Sequence, residues 1–411
     1  MIQEVTPAAP PAPPQRIQLV DALRGFALFG ILAVNIVYFA TAYGADTGLV
    51  NPQSTSWADS ATSWITAALF ETKFYLLFSL LFGYSFVLQM QSAERQGKPF
   101  KRRMLRRLIG LFVIGSLHAV FLWHGDILTL YSVLGLLLLW CRNIKPRTAI
   151  KAAVITLVVI AGGWILSAFL VSGDPTFLEL DSDEERAYAL EMTAALRGSF
   201  GEVLSFRLTE LAEFVGVIFV LQGPIAFAMF LIGLAAAKTG VFESVDRYRP
   251  GFKKLLAIGL PIGLLGGIVF AWTTLEAGVE SPWVLAGLGI TTLTAPLLMG
   301  SYVAIFALSA ASQPGQKVIA LLAPMGRMAL SNYVLQSILM GLVFFGYGLG
   351  QFGRLSPFEV LLVTIAIYAV LLAFSTLWMQ RHAYGPLEWL LRAFTNWERP
   401  AWRVPVSTIA P

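Results

Sequence analysis

"AERQGKPFKRRMLRRLIGLFVIGSLHAVFLWHGDILTLYSVLGLLLLWCR", residues 93–142, decides how this chain folds. It opens with seven basic residues between Arg95 and Arg107, runs apolar, breaks at "HGD" (124–126), runs apolar again and closes on Arg142. The two apolar runs, 107–123 and 127–141, are short, yet each comes close to the length that crosses a bilayer. Backbone in hydrocarbon has only itself to hydrogen-bond, so such runs read as helices. Lys and Arg resist translocation, so the basic flanks hold both ends at the cytoplasmic face. The stretch is therefore a helical hairpin whose "HGD" tip reaches the opposite face.

Working outward, apolar windows of similar kind recur near 25–43, 66–90, 150–171, 211–237, 255–273, 283–310, 328–349 and 358–379, which with the hairpin makes ten. Counting alternately from the basic loop, 24 of the 29 Lys and Arg residues fall on the cytoplasmic side, and both termini fall there too. Hydrophobic residues make up 57% of the chain and charged ones 13%, which excludes a water-soluble core. The fold class is all-α, a polytopic integral membrane protein of about ten helices whose first partner is the lipid bilayer. The net charge of +5 follows the topology and does not indicate nucleic acid. The sole cysteine, Cys141, excludes an internal disulfide and a Cys-rich metal site, and no HExxH spacing occurs, so no metal is expected.

Residues 1–15, rich in Pro and Ala, read as a disordered arm, 16–397 as one transmembrane domain and 398–411 as a cytoplasmic tail. The first window is read as an uncleaved signal anchor because many spans follow it. In the acidic outer loop, 172–210, "DEERAYALEMTAALRG" (183–198) has helical periodicity ending in a Gly stop and predicts a helix on the outer face.

Ionisable side chains at membrane depth are expensive and need a partner, water or a task. His118 and His124 are two of only three histidines, and Asp126 follows them. Six positions separate the histidines, about 240° of helix, so they do not share a face. His118, inside an apolar helix, is the candidate base or proton relay, against the plainer reading of a neutral histidine bonded within the bundle. Asp126 is placed either to support His118 or to cap the following helix. His124 is expected in the exposed turn. Glu71 and Lys73, at the outer end of the second window, share that compartment and predict a wet outer cavity. At the inner end of the first window, Asp21 and Arg24 stand i, i+3 and either pair or present a guanidinium to an anion. Asn35, mid-span, is expected to find an interhelical hydrogen bond. Asn35, Tyr131 and Asn332 are the candidate donors to hold an oxyanion should the site carry out acyl transfer.

"DALRGFALFGILAVN", "KFYLLFSLLFG", "LHAVFLWHGDILTLYSVLG", "GRMALSNYVLQS" and "YGPLEWLLR" resemble, in that order, the blocks of the YeiB family of bacterial multi-pass membrane proteins, which carry a domain of unknown function, number 418. The resemblance covers the chain after the Pro-rich arm and implies the bacterial inner membrane. The DxxRG block at Asp21–Gly25 is also similar to the opening of transmembrane acyltransferases, among them the lysosomal heparan glucosaminide acetyltransferase and bacterial enzymes that acylate surface glycans. Those enzymes pass an acyl group from cytoplasmic acyl-CoA across the membrane with an intramembrane histidine. The resemblance implies Asp21 and Arg24 near an acyl-CoA (acetyl-CoA) donor, His118 as base, and a small molecule or glycan as acceptor. A homodimer is the candidate assembly. The competing reading is a transporter or flippase in which His118, Asp126 and Glu71 relay protons.

Overall fold

The computed structural model describes residues 17–43, 49–173, 182–278 and 280–403. The Pro-rich arm and the last residues of the tail lie outside the described residues. Each apolar window falls on a helix. They are α1 (Gln18–Ala40), α2 (Trp57–Ile65), α3 (Lys73–Arg95), α4 (Phe100–Phe121), α5 (Leu128–Cys141), α6 (Pro146–Val171), α7 (Ser182–Leu196), α8 (Phe200–Val217), α9 (Gly223–Lys238), α10 (Val245–Leu275), α11 (Pro282–Ser309), α12 (Gln313–Arg327), α13 (Ala329–Phe344), α14 (Pro357–Arg381) and α15 (Pro386–Asn396). Among the described residues eight helical segments are long and apolar enough to cross a bilayer, α12 and α13 form a pair bent by 77°, and α5 is a shorter apolar helix.

Burial shows which way each helix faces. On α4, Met104, Leu108, Leu111, Gly115 and His118 are buried. These positions recur every three or four residues and form one stripe. The opposite stripe exposes Ile109, Phe112, Val113, Leu117 and Phe121. An exposed stripe of large apolar side chains on a soluble protein would be a liability, whereas in a bilayer it is the lipid-facing surface. The interior seams are closed by small residues. A Cβ on Gly83 would strike the Phe230 carbonyl and one on Gly233 the Leu80 carbonyl, so α3 and α9 cross with backbones touching.

Three windows differ from their sequence reading, the sixth by a π-helical turn at Ile218–Gln222 between α8 and α9. The second does not run unbroken from 66. A π-helical turn at Thr66–Phe70 follows α2, and Thr72 then takes a left-handed φ of 68° before α3 starts at Lys73. The ninth belongs to a broken helix. Its first limb, α12, lies before the window at 328–349, and the break falls at Met328. The outer-loop helix lies where the periodicity places it, as α7.

Candidate functional site

Helix α4 ends where the His118 carbonyl accepts the N–H groups of both Leu122 and Trp123, each at 2.9 Å. Trp123 then turns inward against Phe39, with ring centroids 5.6 Å apart, and its indole covers Gly125, where any Cβ would collide with it. That turn folds Asp126 back onto α4. Gly115 leaves the space: a Cβ there would stand 2.6 Å from the Thr129 amide nitrogen and 2.7 Å from Asp126 Oδ2.

The two oxygens of Asp126 face different partners. Oδ2 caps α5, accepting from the Thr129 amide at 2.7 Å and the Thr129 hydroxyl at 2.9 Å. Oδ1 stands 3.0 Å from His118 Nδ1. That approach is off the axis a ring N–H would use, so neither atom has a well-aligned hydrogen bond. On the far side of the ring, His118 Nε2 is 2.8 Å from the Ser337 hydroxyl. Tyr333 lies over the imidazole with centroids 4.8 Å apart, its hydroxyl accepts the Ile127 amide at 3.4 Å, and it also reaches Asp126. The exposure of His118 is 2% and of Asp126 4%, so this conformation is closed to solvent. Asp126, His118 and Ser337 thus form a buried carboxylate–imidazole–hydroxyl line.

A second polar layer sits nearer the start of α1. Arg24 pairs with Asp21 at 2.8 Å and also bonds the Ser85 hydroxyl. Arg107 lies within electrostatic reach of Arg24, Glu388 and Arg392. His118 is eleven positions beyond Arg107 on α4, which separates the two layers by on the order of 16 Å. The break at Met328 lies close by, with the Asp21 carbonyl packed against Gly326 in the last turn of α12. A helix that starts inside a bundle has free N–H groups, and here Glu388 satisfies them. Its carboxylate accepts from the amides of Leu330 at 2.6 Å and Ser331 at 3.1 Å, and from the Ser331 hydroxyl at 2.5 Å. Burial raises the Glu388 carboxyl above its ordinary range, and those hydrogen bonds oppose the rise.

The remaining expected site residues are not gathered around His118. Lys73 is buried, its Nζ donating to the Ala67 carbonyl at 3.1 Å with Phe270 beneath it at 5.3 Å, and Glu71 stands near it. Lys73, the first residue of α3, thus reaches back onto the π-turn, with Glu71 at the end of that turn, rather than into an outer cavity shared with His118. His124 is not in open solvent, because the inward turn of Trp123 carries it against Phe214, with centroids 4.3 Å apart. Tyr131 is bonded to the Ser79 hydroxyl at 2.7 Å and the Tyr75 carbonyl at 3.0 Å. Asn332 donates to the Met325 carbonyl and to Ser375, stitching the break to α14. Neither is a free oxyanion donor. Asn35 is half-buried and its expected interhelical bond is not made among the described residues. Among the described residues no group of three His, Cys, Asp or Glu stands together as a metal site.

Ser337 and Tyr333 were missed by sequence reasoning, although a signal existed. "SNYVLQS" puts Tyr333, Gln336 and Ser337 one helical turn apart inside an apolar span, all buried. Gln336 ties α13 to the Leu28 carbonyl of α1 at 3.0 Å. Arg207 was also missed. It is buried, donates to the Phe121 carbonyl at 3.2 Å and lies over the Phe345 ring, and nothing in the sequence sets it apart from Arg186 and Arg197 in the same outer loop.

Residues 236–398 match a family model described as a protein of unknown function, DUF418. The chain is 33% identical over 399 residues to the uncharacterized protein YxaH of Bacillus subtilis strain 168, covering 93% of this chain and 96% of that protein. It is 29% identical over 401 residues to the uncharacterized protein YeiB of Escherichia coli strain K12, covering 93% of this chain and 96% of YeiB. An uncharacterized 39.9 kDa protein of Bacillus acidopullulyticus is 28% identical over 398 residues, covering 93% of this chain and 94% of that protein.

Proposed function

This chain belongs to the YeiB (DUF418) family of multi-pass membrane proteins, and we propose that it is a transmembrane acyltransferase of the bacterial inner membrane. The donor is a cytoplasmic acyl-CoA, with acetyl-CoA the simplest, and the acceptor is a hydroxyl or amine on a small molecule or glycan. The observation that carries the reading is the line from Asp126 through His118 to Ser337, at 3.0 Å and 2.8 Å.

In this reading Asp126 keeps the proton on Nδ1, which leaves the Nε2 lone pair free to act as a base. Ser337 occupies the place of the acceptor hydroxyl in the resting state. It is not itself the nucleophile: it lies within the regular helix α13, whose amides are spent on the helix ladder, with no strained turn to expose it and no pair of N–H groups to hold an oxyanion. When an acceptor displaces that hydroxyl, His118 takes its proton, the acceptor oxygen or nitrogen bonds the acyl carbon, the C–S bond breaks, and His118 returns the proton to the departing thiolate. The Tyr333 phenol, beside both His118 and Asp126, is the candidate donor to the developing oxyanion. Arg24 and Asp21 supply the donor side, one layer towards the start of α1. Because His118 is enclosed, both substrates reach it only when the bundle opens.

A transporter reading has one observation in its favour, the break between α12 and α13, since discontinuous helices build substrate sites in transporters. Here, however, Glu388 already occupies the amides at that buried helix start. Radiolabelled acetyl-CoA added to inside-out membrane vesicles separates the two. Transfer of label to membrane or lumenal material by the parent and not by His118→Ala is expected. Equal labelling by both proteins rejects acyl transfer at this site.

A further inference from the structure

A pocket of about 240 Å³ opens where α4 begins, between its first turn, the end of α15 and the segment that follows α15. Four of its lining side chains are cationic, Lys98, Arg103, Arg392 and Arg399, and one is acidic, Glu398. Lys98 is paired with Glu398 at 3.3 Å, and the same carboxylate acts on Arg103, while Arg392 lies over the Tyr384 ring at 4.8 Å, so four cations share one carboxylate within the pocket. Arg103 is held in a fixed pose, with Nε and one Nη bonded to the Asn396 side-chain oxygen at 3.1 Å and 2.8 Å. Its other Nη is buried with no hydrogen-bond partner among the described residues. Arg392 is near enough to Arg103 to repel it.

This arrangement costs free energy as it stands. Cations gather at the N-terminal end of α4, which the helix dipole makes positive, and α4 has no acidic residue in its first turn. Topology alone needs basic residues on this side, but it does not require them to converge on a concave site or to leave a buried guanidinium N–H unsatisfied. An anion with several oxygens answers both costs at once.

We propose that this pocket binds the phosphate group of an anionic ligand at the cytoplasmic surface of the bilayer. The location favours a phospholipid headgroup as its carrier. The pocket sits at the mouth of a membrane-crossing helix, and exposed Trp397 and Trp402 flank it in the manner of interfacial anchors. Arg106 lies over the Trp397 ring at 5.1 Å, fixing one of those anchors beside the cationic cluster. A soluble phosphate compound has the same recognition chemistry, and the proposal does not depend on acyl transfer.

The test uses the purified full-length protein in detergent. Native mass spectrometry follows retention of phosphatidylglycerol, phosphatidylcholine or inorganic phosphate by the parent, by Arg103→Gln/Arg399→Gln, and by Lys98→Gln/Arg399→Gln. The last pair lies on the exposed rim and leaves the fold intact. Arg249→Gln/Lys253→Gln, elsewhere on the basic side, controls for general charge. The expected result is retention of phosphatidylglycerol over phosphatidylcholine, reduced at least about tenfold in both pocket variants and unchanged in the control. Displacement of the lipid by inorganic phosphate assigns the site to a soluble phosphate compound, within the same chemistry. Retention of neither anion, or equal losses in pocket and control variants, overturns the proposal.

Discussion

His118 Nδ1 and Asp126 Oδ1 face each other at 3.0 Å inside the bundle, yet off the line of a good hydrogen bond. A pair that served stability alone would gain by aligning, since a buried polar atom without a proper partner costs on the order of 1–3 kcal/mol. Catalytic hydrogen bonds are often loose before substrate binds and tighten afterwards. Asp126→Asn should preserve the bonds from Thr129 to Oδ2 while removing the negative charge. We expect turnover to fall by roughly 10²–10⁴-fold with little change in thermal stability. Loss of activity in step with loss of folded protein would make Asp126 a helix cap only.

Gly115 sets how closely Asp126 approaches α4. Gly115→Ala places a methyl group 2.6 Å from the Thr129 amide nitrogen, so the 126–129 turn must move. The expected outcome is an inserted protein destabilised by about 1–3 kcal/mol, with acyl transfer reduced more than Asp126→Asn reduces it. Unaltered activity in Gly115→Ala would show that the His118–Asp126 separation is not critical.

Glu388 caps the start of α13 from a distant part of the chain. Glu388→Ala leaves those amides without a partner and should lower stability by about 1–3 kcal/mol. Glu388→Gln still offers an oxygen to them and should lose less than half as much. Equal losses in thermal melts would assign the effect to packing of α15 instead.

Orientation can be read with single cysteines on a Cys141→Ser background. Leu349→Cys, on an exposed turn, should react with an impermeant maleimide in intact cells, whereas Gln96→Cys should react only after permeabilisation. The reverse pattern inverts the topology.

The fold was legible because lipid enforces one backbone solution and the chain announces it with long apolar windows and one-sided charge. Lys73 and His124 show where that legibility ends. Their positions depend on a π-turn and on a tryptophan that folds inward, and neither has a periodic signature. His118 with Asp126 was readable because a break six residues after a buried histidine returns the chain to it. Ser337 was not, since its partner lies 219 residues away and only packing between α4 and α13 joins them. Glu388 was hidden for the same reason: nothing near "YGPLEWLLR" shows that its carboxylate caps a helix 57 residues earlier.

In the proposed reaction His118 is the base for acyl transfer. The most direct measurement is release of free CoA thiol from acetyl-CoA by purified protein in nanodiscs supplemented with a total extract of cellular glycans and glycolipids. Parent, His118→Ala and His124→Ala are compared at matched melting temperature. Thiol release is expected from the parent, none above background from His118→Ala, and release within about threefold of the parent from His124→Ala, whose ring packs against Phe214 and Trp123 beside Arg207. Thiol release by folded His118→Ala at the parental rate, or none from the parent itself, would contradict it.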